Sequence, residues 1–178
     1  MRVSTSIAAV AANVFVFLLA GNAAAHVTAN PNEAAADSFF RAFLRVPHGC
    51  EGSSTVALRV KIPEGLISVK PQMKPGWTIE IKMRKLDQPI DAGHGRMITE
   101  TVDEVAWRGG PLPDAYFDEF GLSMKLPAKP GETLYFPTVQ ECERGVHRWI
   151  EIPAAGQKWH ELDQPAPFIR LMEKKHGH

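Results

Sequence analysis

An excess of charge of either sign is missing from this sequence: 20 Lys and Arg residues stand against 20 Asp and Glu. That balance argues against nucleic acid or an anionic membrane surface as a partner. Long apolar runs are missing too. The longest, Ile7 to Ala20, falls short of the about 20 residues that a bilayer span needs. There is no Gly-rich phosphate loop, no Gly-x-Ser-x-Gly elbow and no His-Glu-x-x-His helix, so phosphate transfer, serine hydrolysis and zincin chemistry have no signal here. The six methionines form no Met-x-x-Met cluster, which leaves a thioether Cu(I) site without support. No internal repeat or flexible linker divides the chain.

What is present at the front has the three parts of an export signal. Arg2 gives a short positive region, the apolar run follows, and Ala23 and Ala25 fit the small-x-small rule for cleavage. The expected mature chain therefore begins at His26 and keeps roughly 150 residues, the usual size of one domain. An uncleaved anchor is the minor alternative. The two cysteines, Cys50 and Cys142, are an even count in an exported chain, for which a disulfide is expected. Such a bridge closes a loop of roughly 90 residues, worth on the order of 4 to 5 kcal/mol in the chain-entropy account. A Cu(I)-binding thiolate pair is the competing reading, and it needs a reducing compartment.

Beyond residue 26 the dominant period is two. Phe40, Ala42, Leu44 and Val46 share one face, against Arg41 and Arg45; Val56, Leu58, Val60 and Ile62 alternate with Thr55, Arg59 and Lys61. Ile79, Ile81 and Met83 alternate with Glu80, Lys82 and Arg84, and Phe120, Leu122, Met124 and Leu126 continue the pattern. Turn signals such as "PHG", "IPEG", "KPGW", "GHG", "RGGPLP" and "AKPG" punctuate these runs. The reading is all-β, a single immunoglobulin-like sandwich over 26–170, preceded by a signal at 1–25 and followed by a charged tail at 171–178.

A mature chain that starts at His26 carries an amine and an imidazole on one residue. The amine and Nδ1 close a six-membered chelate, and two nitrogens suit Cu(II) above other divalent first-row ions. The competing reading is that cleavage leaves some residue first and that this one is histidine by accident. His48, His94, His147 and His160 read as loop or exposed strand positions, and His176 and His178 as a solvated tail. Glu119 has opposite parity to Phe120, Leu122 and Met124, so it points away from the core. Trp149 has opposite parity to Val146, Arg148 and Ile150, which puts it on a wet face if that strand is regular. Packing under a loop accounts for it more simply than shielding a metal ion.

Taken together, "AHVTANP", "FLRVPHGCEGSSTVALRVKIPEG", "KPGWTIEI", "FDEFGLSMKLP" and "YFPTVQECERGVHRWIEIP" resemble the YcnI-like copper-binding proteins, in the same order over nearly all of the chain after residue 25. The resemblance implies a secreted or tethered immunoglobulin-like sandwich that binds Cu(II) through a monohistidine brace. His26 matches the brace histidine, Trp149 the family tryptophan and Glu119 the family glutamate, with Glu33 and Glu51 as alternatives for the last. Type examples carry a C-terminal transmembrane helix that this chain lacks, so the expectation is a protein free in the periplasm. The implied role is copper storage or delivery without turnover. The implied partners are copper-trafficking proteins of the envelope, such as an importer or an oxidase-assembly chaperone. A copper-dependent redox enzyme is the runner-up, but no second brace histidine can be identified in the sequence. A structural or interaction module is the third reading.

Overall fold

The computed structural model describes residues 26–93 and 95–174. Its strands are β1 (Thr28–Asn30), β2 (Glu33–Ala35), β3 (Phe39–Val46), β4 (Thr55–Lys61), β5 (Ile67–Pro71), β6 (Trp77–Asp91), β7 (Met97–Leu112), β8 (Asp118–Lys125), β9 (Thr133–Tyr135), β10 (Thr138–Cys142), β11 (Val146–Trp149) and β12 (Phe168–Met172). A single 3-10 turn, Trp159–Glu161, is the only helical element among the described residues. None of them forms a helix long and apolar enough to cross a membrane.

The strands assemble into a four-stranded sheet ordered β1-β3-β8-β5 and a five-stranded sheet ordered β11-β10-β4-β7-β6. A small sheet, β2-β12-β9, completes the domain. The period-two reading accounts for the two large sheets. Ala42, Leu44, Val46, Phe120, Leu122 and Met124 are buried from one sheet, and Leu58, Val60, Val105 and Trp107 from the other. Trp107 of β7 meets Phe120 of β8 edge-on at 5.5 Å, and Trp77 meets the same ring at 5.0 Å, so one aromatic trio ties the two sheets together. The outer face of the five-stranded sheet carries the polar half of the alternation. There Arg59 pairs with Glu141 at 2.7 Å, Lys82 with Glu104 at 2.7 Å and Arg108 with Glu80 at 3.1 Å.

Three segments depart from the simple alternation. Val56 is only half-buried, because the β4–β7 register shifts between Thr55 and Ala57 and turns Thr55 and Ala57 inward instead. Ile81 and Met83 lie on the inner side of β6 but are about half exposed, at 48% and 51%, because the opposing sheet ends at β5 and does not reach them. "RGGPLP", read as a turn, is the end of β7: Gly109 and Gly110 take positive φ within the strand. A Cβ on Gly110 would sit 2.5 Å from the Trp77 ring, and one on Gly109 would sit 2.5 Å from the Gly76 carbonyl oxygen. The glycines let two chain segments approach that closely.

Cys50 and Cys142 form a disulfide with a Cα–Cα distance of 6.0 Å across a sequence separation of 92. It joins the β3–β4 loop to the end of β10. Replacing both cysteines by alanine is expected to lower the unfolding free energy by on the order of 4 kcal/mol. Urea titrations of the two proteins would measure it, and an unchanged midpoint would contradict the account.

Candidate metal centre

His26 lies two residues ahead of β1, which is an edge strand: β3 lies on one side, and no strand of its sheet on the other. The imidazole leans toward that open side. It stands edge-on between Trp149, at 5.6 Å between ring centroids, and Trp159, at 5.4 Å. Trp149 ends β11, the edge strand of the other large sheet, so the cluster forms where the two sheets' edges meet. Trp159 is held by its own bond, Nε1–H to the Ala166 carbonyl at 2.7 Å, and rests against Phe168 at 5.7 Å. A cavity of about 170 Å³, lined by Thr28, Ala29, Asn32, Trp159, Pro167 and Phe168, flanks this side.

Behind Trp149 the cluster continues. His147 packs on the Trp149 ring at 5.0 Å, and His48 stands perpendicular to His147 at 6.1 Å. Burial holds the His147 imidazole below the ordinary histidine range; nearby His48 pushes the same way, and Glu51 pulls against them. His48 donates from Nδ1 to the Gly49 carbonyl at 2.7 Å, which fixes its tautomer.

Gln140 organises the assembly. Fully buried on β10, it accepts the Trp149 Nε1–H at 3.0 Å and donates from Nε2 to the His48 carbonyl at 2.7 Å and to Thr55 Oγ1 at 2.8 Å. The β3–β4 loop that carries His48 and Glu51 is pinned further. The Gly49 N–H donates to Asp114 at 2.9 Å, and Cys50 exchanges main-chain bonds with Ser53 at 2.9 Å each way. Gly49 admits no side chain, since a Cβ there would run into the Ser53 carbonyl.

The expected site residues are therefore only partly gathered. His26 and Trp149 come together, but Trp149 is 3% exposed, so the wet-face reading is corrected: the ring faces inward to reach Gln140. Its N–H is committed there, and what it turns toward His26 is the ring. Glu119 does point away from the core, yet it is not at the cluster. It lies on β8 in register with Arg45 of β3, so β3 stands between it and β1, about 10 Å from Thr28 by strand spacing. His26 turns to the other side of β1. Glu33 lies in β2 and pairs with Arg170 at 3.3 Å. Of the three carboxylates considered, Glu51 is the one whose charge reaches the cluster, through His147. His94, His176, His178 and the cleavage site lie outside the described residues.

Trp159 and Gln140 have no counterpart in the reading from sequence, which gives His147 only as a loop or exposed strand position. Gln140 left one usable sign, a polar residue at an inward period-two position of "TVQEC". Trp159 left none, because its place depends on the 3-10 turn folding back on β12.

Among the described residues no three His, Cys, Asp or Glu side chains converge to hold a metal ion. A donor set here has to draw on the main chain. His26 offers that if its nitrogen is a free amine: two nitrogens from one residue, on an open edge, beside two indole rings. The fit is to a two-nitrogen chelate with remaining positions open, and not to a site enclosed by three side chains.

A family model described as a domain of unknown function, DUF1775, matches residues 26–171. No curated protein sequence matches. Among solved structures, an uncharacterised protein from Nocardia farcinica, described as having an immunoglobulin-like fold, is similar at 28% identity with a TM-score of 0.60. The likeness covers 83% of this chain and 98% of that one.

The desolvated His147 sets a pH response. Below the ordinary imidazole pKa the unfolded chain takes up a proton that native His147 resists. The contribution is therefore full above that value and is lost as pH falls below it. Melting temperature is expected to drop between about pH 7.5 and about pH 5.5, and less so in His147→Gln. Equal drops in both proteins would contradict the assignment.

Proposed function

The chain belongs to the DUF1775 domain family, and from that premise we propose that it is an exported Cu(II)-binding protein whose metal is held at the mature N-terminus. The carrying observation is the placement of His26: an imidazole on the open edge of β1, held between Trp149 and Trp159, with its main-chain nitrogen at the expected cleavage point. The amine and Nδ1 of His26 would supply the nitrogens. Trp149 and Trp159 would wall the ion on two sides and fix the imidazole's orientation, and of Glu119, Glu33 and Glu51 it is Glu51 whose charge reaches the cluster, through His147. Copper bound there would supply a Lewis-acidic, redox-capable ion with open positions.

An open two-nitrogen chelate suits holding and handing on an ion. We therefore assign storage or delivery in the periplasm, without turnover, to partners that traffic copper in the envelope. Both nitrogens must be unprotonated to bind, so affinity is expected to be weaker at about pH 5 than at about pH 7.5.

The test is a Cu(II) titration followed by electron paramagnetic resonance on two preparations, one beginning at His26 and one with a single alanine ahead of it. The expected result is a one-equivalent, nitrogen-coupled signal in the first and its loss in the second. The same signal in both would overturn the terminal chelate.

A further inference from the structure

We propose that β6 is a self-complementary edge through which two copies of this chain pair, joining their five-stranded sheets into one. β6 ends its sheet, and among the described residues no strand pairs with its outer edge. The Gly110 N–H donates to the Gly76 carbonyl at 2.8 Å, and Trp77 lies opposite Gly109. By the alternation of an antiparallel ladder, Thr78, Glu80 and Lys82 then exchange bonds with β7, while Ile79 and Ile81 turn their N–H and C=O groups to the open edge. That edge is a template for another strand.

The inner face of the same strand is apolar and uncovered. Ile81 and Met83 are 48% and 51% exposed, and the opposing sheet stops at β5. The gap between the sheets is open here as two grooves. One, of about 530 Å³, runs along Trp77 and Ile79; the other, of about 310 Å³, runs along Met83 and Val69.

Charge selects the occupant and the register. In an antiparallel pair with Ile81 opposite its own copy, Ile79 faces Met83 on the inner side, and Glu80 faces Lys82 on the outer side, twice by symmetry. Glu80 already pairs with Arg108 and Lys82 with Glu104. The pairing thus runs Arg108, Glu80, then Lys82 and Glu104 of the second copy, with signs alternating throughout. A register slipped to set Glu80 opposite its own copy, or Lys82 opposite its own, puts like charges face to face. A second copy is therefore a better fit than an arbitrary strand, and the contact is isologous and closed.

Sedimentation equilibrium on the chain starting at His26 is expected to show reversible doubling of mass with concentration, and Ile81→Lys, at an already half-exposed position, to stay monomeric and to melt at the temperature of the unsubstituted chain at dilutions where that chain is monomeric. Ile81→Cys gives the register. With Cys50 and Cys142 paired, the new cysteine carries the one free thiol among the described residues, and mild oxidation is expected to link two copies. Lys85→Cys is the control, because its copies would lie roughly 27 Å apart in this register. A monomeric mass at every concentration would overturn the proposal, as would Lys85→Cys linking as readily as Ile81→Cys. Neither readout involves copper, so the outcome is independent of the proposed function.

Discussion

One buried amide holds the candidate site in shape. Gln140 has no exposure, and its three side-chain hydrogen bonds go to Trp149 on β11, to the main chain at His48 and to Thr55 on β4. Each partner belongs to a different segment. Were Trp149 to turn outward, the buried Gln140 oxygen would be left without that partner, a cost of about 1–3 kcal/mol. The ring against which His26 rests is therefore positioned by the interior and not by the loop above it. The disulfide and the Asp114 bond to Gly49 do the same for the β3–β4 loop that carries His48 and Glu51. In this arrangement the first residue of the expected mature chain meets a surface already in place, and little ordering is left for a metal ion to impose.

How much of this was legible beforehand depends on how local the cause is. The strands of the two sheets are written in period-two runs, because burial on one face requires it, and Phe120, Leu122 and Met124 follow the rule without exception. The cysteine pairing was legible from count and compartment. Trp149 was misplaced because β11 has only four residues, too few for parity to establish a face, and because its partner Gln140 comes from another strand. Glu119 was assigned the right face and the wrong neighbourhood. Parity says which side of a sheet a residue occupies, and only the strand order says that β3 separates β8 from β1. Trp159 depended on a single 3-10 turn, for which the sequence has no period to read.

The two open edges of the fold serve different ends in this account. At β1 and β11 the gap between sheets is closed by aromatic rings, which leaves a narrow place for one imidazole. At β6 it is left apolar and open beside a row of alternating charges. A sandwich in which β6 extends past β5 exposes part of its inner face by construction. The mixed-sign ladder on the outer face disfavours the registers that set Glu80 or Lys82 opposite its own copy, because those oppose like charges.

The central claim is that His26 is the first residue of the mature protein, and the most direct test is the intact mass of the protein recovered after expression of the full sequence. The account predicts a mass corresponding to a start at His26, with one disulfide formed. A mass placing any residue ahead of His26, or starting beyond it, would contradict the claim, because the imidazole would then have no terminal amine beside it.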